Sequence, residues 1–177
     1  MKKALIILIG FLAISCSNKP TLQKYFVENS ESSDFIAVDL ASSIINTEKV
    51  SLTDTEKEAL QSFDKLNILA FQKDSVSDVK YKAEKEKVKN ILKEEQYEQL
   101  MRFGNSKDGG AIYLVGEADN IDEFVLFASG DEQGFVIARV LGDNMSPNNV
   151  INLMEVIRKA DLDLEQLKPL QNALAKK

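Results

Sequence analysis

The chain has 177 residues, with 22 Lys and Arg against 28 Asp and Glu, and its formal net charge of −6 argues against a nucleic-acid partner. It contains no histidine and a single cysteine, which excludes Ser-His-Asp and Cys-His catalysis and the common zinc sites. A lone cysteine cannot form a disulfide within the chain, so packing must stabilise the fold. We therefore expect no catalytic residues, no metal and no cofactor, and a protein that is not an enzyme.

Residues 1–15 are typical of a lipoprotein signal peptide. Lys2 and Lys3 precede an apolar stretch that ends in small residues directly before Cys16, and this stretch is too short to span a bilayer. Lipidation of Cys16 and cleavage before it would leave an acylated first residue, and each buried acyl methylene contributes about 0.8 kcal/mol to membrane binding. The alternative is an ordinary secretion signal with a chance cysteine near its end.

The predicted localisation is the cell envelope. Removing residues 1–15 takes away two lysines and no acid, so the mature chain is more negative still and a palmitate-type anchor must supply its membrane affinity. Ser17 after the cysteine is compatible with an outer-membrane protein that faces the periplasm. We interpret residues 16–33 as a lipidated tether with a short helix at 22–27, and residues 34–177 as a single domain.

Apolar periodicity within that domain predicts both helices and strands. Helices are expected at 53–63, 75–93 and 146–157, and Asp163 can cap a last short helix that Pro169 interrupts. Strands are expected at 34–40, 66–71, 97–103, 111–115, 124–128 and 135–141.

Turn residues separate the last three strands and predict a meander. Residues 124–127 and 135–137 are apolar at consecutive positions, which indicates central strands that are covered on both faces. The sequence therefore predicts an α+β fold, with a mostly antiparallel sheet of five to six strands, ending in a C-terminal meander and packed against helices.

The motifs that carry a family resemblance lie in residues 97–157. They are the strand YEQLM, the apolar strands FVLF and FVIARV, and a Gly-Asp loop before the final helix, with further similarity in DFIAVDL and KLNILAF. In these features the chain resembles the bacterial lipoprotein family called domain of unknown function 4252. The resemblance implies an exported, lipidated envelope protein of the type found in Bacteroidota. It implies no activity and transfers no site residues.

The helix predicted at 75–93 carries a basic stripe. A rotation of 100° per residue places four lysines in one sector, opposite Val76, Ala83 and Ile91. These lysines are Lys82, Lys85, Lys89 and Lys93. The stripe could contact anionic headgroups, lipid phosphates or an acidic partner, or it could be a solvated face balanced by neighbouring glutamates.

Two acidic clusters could suggest a cation site. Glu117, Asp119, Asp122 and Glu123 lie in a turn between strands, but their spacing does not match a calcium-binding loop, and a solvated hairpin turn is the favoured interpretation. The alternating acids at 161, 163 and 165 are equally well explained by the start of a helix. We therefore assign no metal.

Two functions are compatible with these features. The first is a non-catalytic, membrane-tethered envelope lipoprotein that binds another protein or an envelope component. The alternative is a binder of small apolar ligands, with a pocket between the sheet and a helix that Phe124, Phe127 and Phe135 could line. Close packing explains these aromatic residues equally well, as core.

Overall fold

A six-stranded antiparallel sheet lies at the centre of the structure, a computed structural model that describes residues 19–73, 76–105, 107–117, 120–162, 165 and 168. The strands, in chain order, are β1 (Phe35–Ala41), β2 (Ile45–Asn46), β3 (Phe63–Gln72), β4 (Glu98–Gly104), β5 (Gly109–Glu117), β6 (Asn120–Gly130), β7 (Gly134–Met145) and β8 (Asp161–Leu162). The α-helices of the described residues are α1 (Leu22–Asn29), α2 (Asp54–Ser62), α3 (Asp78–Ile91) and α4 (Pro147–Lys159), and a 3₁₀ helix (Ser42–Ile44) joins β1 to β2.

The strand order is β1-β3-β7-β6-β5-β4, and every neighbouring pair runs antiparallel. Strands β5 to β7 form the predicted meander, which β4 extends by one strand, and β6 and β7 form the central pair, as their consecutive apolar residues indicated. The predicted α+β fold is therefore confirmed. The short pair β2 and β8 was not predicted, because two residues are too few to show a period.

Helices cover both faces of the sheet. On the first face, α1 and α3 bury a cluster rich in aromatic residues, where Phe71 stacks on Phe135 at 5.0 Å and meets Phe35 edge to face. On the second face, α2 and α4 pack over Val38, Leu40 and neighbouring apolar residues. The covering of the second face is partial, because Leu126 in the middle of β6 remains 36% exposed.

The helices begin where the sequence provides caps. The Thr53 side chain accepts the backbone N–H of Glu56, and the Glu56 carboxylate accepts the N–H of Thr53, which is a complete capping box for α2. Ser146 caps α4 in the same way through Asn149. Lys159 at the end of α4 donates to Glu56, so the cap of one helix also ties α2 to α4.

The domain begins earlier than residue 34. The predicted short helix is present as α1, but it is packed rather than part of a free tether: Leu22 is fully buried, together with Tyr25 and Phe26. The Tyr25 hydroxyl donates to the Glu84 carboxylate at 2.9 Å and so joins α1 to α3. Any tether after Cys16 is therefore confined to the few residues before Thr21, which caps α1.

A buried ion pair lies beneath α1. The Arg139 guanidinium on β7 donates to both carboxylate oxygens of Glu123 on β6, at 2.7 Å each, and to the Gln23 side chain at 2.8 Å. The guanidinium also lies 5.2 Å from the ring centroid of Phe26. These contacts satisfy most of its donors, so α1 closes over a paired charge.

Candidate functional site

The sheet is wider than the helices on its first face, and this mismatch opens a groove. Six strands at about 4.8 Å span about 29 Å, whereas two helices spaced at 8–10 Å cover about 20 Å. The helices α1 and α3 pack over β1, β3, β7 and β6, whereas every residue of the edge strand β4 is exposed. A groove of about 740 Å³ lies between α3 and the strands β4 and β5.

Four cationic side chains line this groove, against a single carboxylate. The cations are Lys85, Lys89 and Lys93 of α3 and Arg102 of β4, and the carboxylate is Glu86. A hydrogen bond from Lys89 to Glu86, at 3.0 Å, lowers the pKa of that carboxyl group and keeps it charged. The groove is therefore positive on a chain whose formal net charge is −6.

The three lysines are held in different ways. Lys85 is buried and donates to the Tyr81 hydroxyl at 3.2 Å, and its ammonium nitrogen lies 3.7 Å from a carboxylate oxygen of Asp131. Lys93 is exposed and contacts only the Asn90 side chain, at 3.1 Å, among the described residues. Lys85 is thus part of the structure, whereas Lys89 and Lys93 can turn toward a ligand with little loss.

Arg102 is the cation most available to a ligand. It is exposed on β4, and its guanidinium makes no hydrogen bond or ion pair within the described part of the chain. A guanidinium offers a planar fork of donors that matches a carboxylate or phosphate in bidentate geometry, which an ammonium cannot do. Arg102 therefore provides the most specific anion contact of the groove.

The floor of the groove includes apolar and aromatic residues. Ala111 and Phe127 are buried there, while Tyr97 and Tyr113 supply rings with polar ends. Burial raises the pKa of Tyr113, with Arg102 and Lys89 acting in the opposite direction, so its hydroxyl remains a neutral donor at neutral pH. An anionic group at the rim and an apolar segment on the floor would both find matching contacts.

The basic stripe predicted from the sequence divides into two parts. Lys85, Lys89 and Lys93 line the groove, whereas Lys82 is exposed on α3 outside it. The face assumed to be apolar is also shifted, because Ala83 is exposed while Tyr81, Val88 and Ile91 are buried. The prediction missed Arg102 and Tyr113, since nothing in the linear sequence places β4 and β5 beside α3.

The interpretation of the acidic turn as wholly solvated is wrong for one residue. Glu123 is buried and paired with Arg139, whereas Glu117 and Asp122 are exposed. Asp119 and Asp163 lie outside the described residues, as does most of the helix predicted after Asp163. Within the described part of the chain, no group of three or more acidic, histidine or cysteine side chains is arranged to hold a metal ion.

Of the three phenylalanines considered for a ligand pocket, one lines the groove. Phe127 contributes to its floor, Phe135 lies in the aromatic cluster of the first face, and Phe124 packs on the second face with Leu114 and Met145. Phe124 and Phe135 are therefore core residues, as close packing indicates.

Residues 1–18, including Cys16, lie outside the described residues. Among the helices that the structure does describe, none combines the length and the hydropathy needed to cross a bilayer.

Comparison with known proteins places the domain in a family. A family model described as Domain of unknown function (DUF4252) matches residues 25–153. The chain belongs to this family. The DUF4252 match begins within α1 and ends within α4, so it includes both faces of the sheet and the whole groove. No curated protein and no solved structure matches the chain.

Proposed function

We propose that this DUF4252 protein is a non-catalytic binding module of the bacterial cell envelope, anchored by lipid at Cys16, and that it holds an anionic, partly apolar envelope component in the groove. The observation that carries the proposal is the groove itself, in which Lys89, Lys93 and Arg102 are available to a ligand beside a floor that contains aromatic residues. The groove lies between the sheet and a helix, which is where a binder of small apolar ligands, the alternative function, would have its pocket. Its charge favours an amphiphile with an anionic group over a purely apolar ligand.

The anchor is supported by the sequence of residues 1–16. Growth with a labelled fatty acid is expected to label the protein, and Cys16→Ser is expected to abolish the label, because Cys16 is the only thiol in the chain. The measurement is label in the immunoprecipitated protein, with its distribution between membrane and soluble fractions. Equal labelling of the Cys16→Ser protein would contradict lipidation at this residue.

Arg102→Gln is expected to weaken the binding of an anionic amphiphile by about 10- to 100-fold, because a charged hydrogen-bonding pair contributes about 1.5–3 kcal/mol. Dodecyl phosphate below its micellar concentration is a suitable probe for calorimetric titration of the mature chain carrying Cys16→Ser. Dodecyl maltoside, with the same tail and no charge, should bind much more weakly.

The chain offers a matched control in Lys82→Gln. It removes one positive charge from α3 outside the groove, so it should leave dodecyl phosphate binding almost unchanged. An equal effect of Lys82→Gln and Arg102→Gln would indicate only long-range attraction. Unchanged binding in Arg102→Gln would overturn the assignment of the groove.

A further inference from the structure

The first described residues are fixed at one end of the groove. The backbone N–H of Leu22 donates to the Tyr97 hydroxyl at 3.0 Å, and the Lys19 ammonium lies 3.9 Å from the Glu94 carboxylate. Tyr97 lines the groove, and Glu94 directly follows Lys93, another lining residue. The chain therefore enters the domain beside the groove, at the C-terminal end of α3.

The link from this point to the proposed anchor is short. Cys16 lies three residues before Lys19, and a fully extended chain spans at most about 3.6 Å per residue, or about 11 Å in total. Because Leu22, Tyr25 and Phe26 are buried, α1 cannot lengthen the link without leaving the core. A lipid on Cys16 would hold this end of the groove within reach of the membrane surface.

We propose that the groove takes the anionic headgroup of a lipid from the same membrane that carries the anchor. This inference rests on the proposed function, and it adds the source of the ligand and the orientation of the domain. The shared ligand chemistry is a phosphate on an apolar chain, which a membrane lipid or a free amphiphile could supply. The short link favours the membrane.

Charge acts locally in this arrangement. The acid-rich chain as a whole is not drawn to an anionic surface, but charges beyond about 8 Å are largely screened at physiological salt. At the anchored end, Lys19 offsets Glu94, while Glu95 and Glu98 are exposed. Glu98 pairs with Leu114 in the register of β4 and β5, which places it on the second face, away from the groove.

Tethering also raises the effective concentration of membrane lipid at the groove. A short flexible link gives an effective concentration of about millimolar for the second contact. Weak contacts from Arg102, Lys89 and Lys93 would then suffice to hold a headgroup. A longer link would lower this concentration without changing the groove.

The test couples the mature chain through the Cys16 thiol to maleimide lipid in vesicles. One set of vesicles contains phosphatidylcholine alone, and the other contains phosphatidylcholine with phosphatidylglycerol. Each is prepared with the natural link and with about twenty Gly and Ser residues inserted before Lys19, which adds an r.m.s. span of about 25 Å. Amide hydrogen exchange is measured across β4 and the C-terminal end of α3.

The expected result is slower exchange at both segments in phosphatidylglycerol vesicles with the natural link. This slowing should be lost with the long link and in the Lys93→Gln and Arg102→Gln variants, and retained in Lys82→Gln. Equally slow hydrogen exchange in vesicles of phosphatidylcholine alone would overturn the inference. So would slower exchange that does not depend on the length of the link. Binding of free dodecyl phosphate separates the two proposals: if it binds and the vesicle effect is absent, only the membrane source fails, and if it does not bind, the proposed function fails.

Discussion

Replacing Glu123 by alanine is expected to lower the free energy of unfolding by about 3–5 kcal/mol, because the change leaves the Arg139 guanidinium buried without its counter-ion. The two side chains are only 10% and 5% exposed, and two hydrogen bonds of 2.7 Å join them. A loss of this size is a large part of the 5–15 kcal/mol that stabilises a typical domain. This loss in the free energy of unfolding is measured by urea denaturation, with circular dichroism as the signal.

The matched control replaces both charges, as Glu123→Leu with Arg139→Met. Exchanging a whole buried ion pair for apolar residues of similar size is often neutral or stabilising. The double variant should therefore be much more stable than Glu123→Ala. A loss below about 1 kcal/mol in the single variant, typical of an exposed pair, would show that α1 does not bury these charges.

Leu22→Ala is expected to cost about 2–5 kcal/mol, the usual range for removing a buried leucine side chain and leaving a cavity. Leu22 is 0% exposed and packs in the cluster of the first face with Phe26 and Phe35. The same unfolding measurement applies. A cost of this size would establish α1 as part of the core.

Val27→Ala in the same helix provides the control, since Val27 is 68% exposed. Its substitution should change the unfolding free energy by less than about 0.5 kcal/mol. If Leu22→Ala were equally mild, α1 would belong to a tether, and the short link on which the membrane orientation depends would be lost. A large effect of Leu22→Ala combined with a mild one of Val27→Ala supports that orientation.

The variants Glu123→Ala and Leu22→Ala test the stability of the domain separately from binding in the groove. Leu22 joins the groove only through its backbone N–H, which donates to Tyr97, and Glu123 does not line the groove. Arg102 lines the groove and makes no ion pair among the described side chains, so its substitution should affect binding rather than unfolding. A ligand that binds only the folded state raises the apparent stability of the protein. Unfolding should therefore be measured without ligand, so that effects on stability and on binding can be told apart.

The elements of this protein follow from local sequence patterns. Thr53 and Glu56 define the start of α2, and Ser146 with Pro147 starts α4, because a cap needs only residues within one turn. The apolar runs around Phe124 and Phe135 identified the central strands, since such runs are typical of strands with helices on both faces, although Leu126 on the second face remains partly exposed. The α-helices, the strands of the six-stranded sheet, the sheet class and the meander were therefore predictable.

Tertiary structure decided the burial of individual charges and the position of the groove. Glu123 resembled a solvated turn residue until β7 placed Arg139 beside it, and Lys85 resembled a surface lysine until the packing of α3 on the sheet buried it near Asp131. Arg102 meets the lysines of α3 because the sheet extends past the helices that cover it. Periodicity is a local property of the chain, whereas burial and charge pairing depend on contacts between distant segments, and these form only when the layers pack.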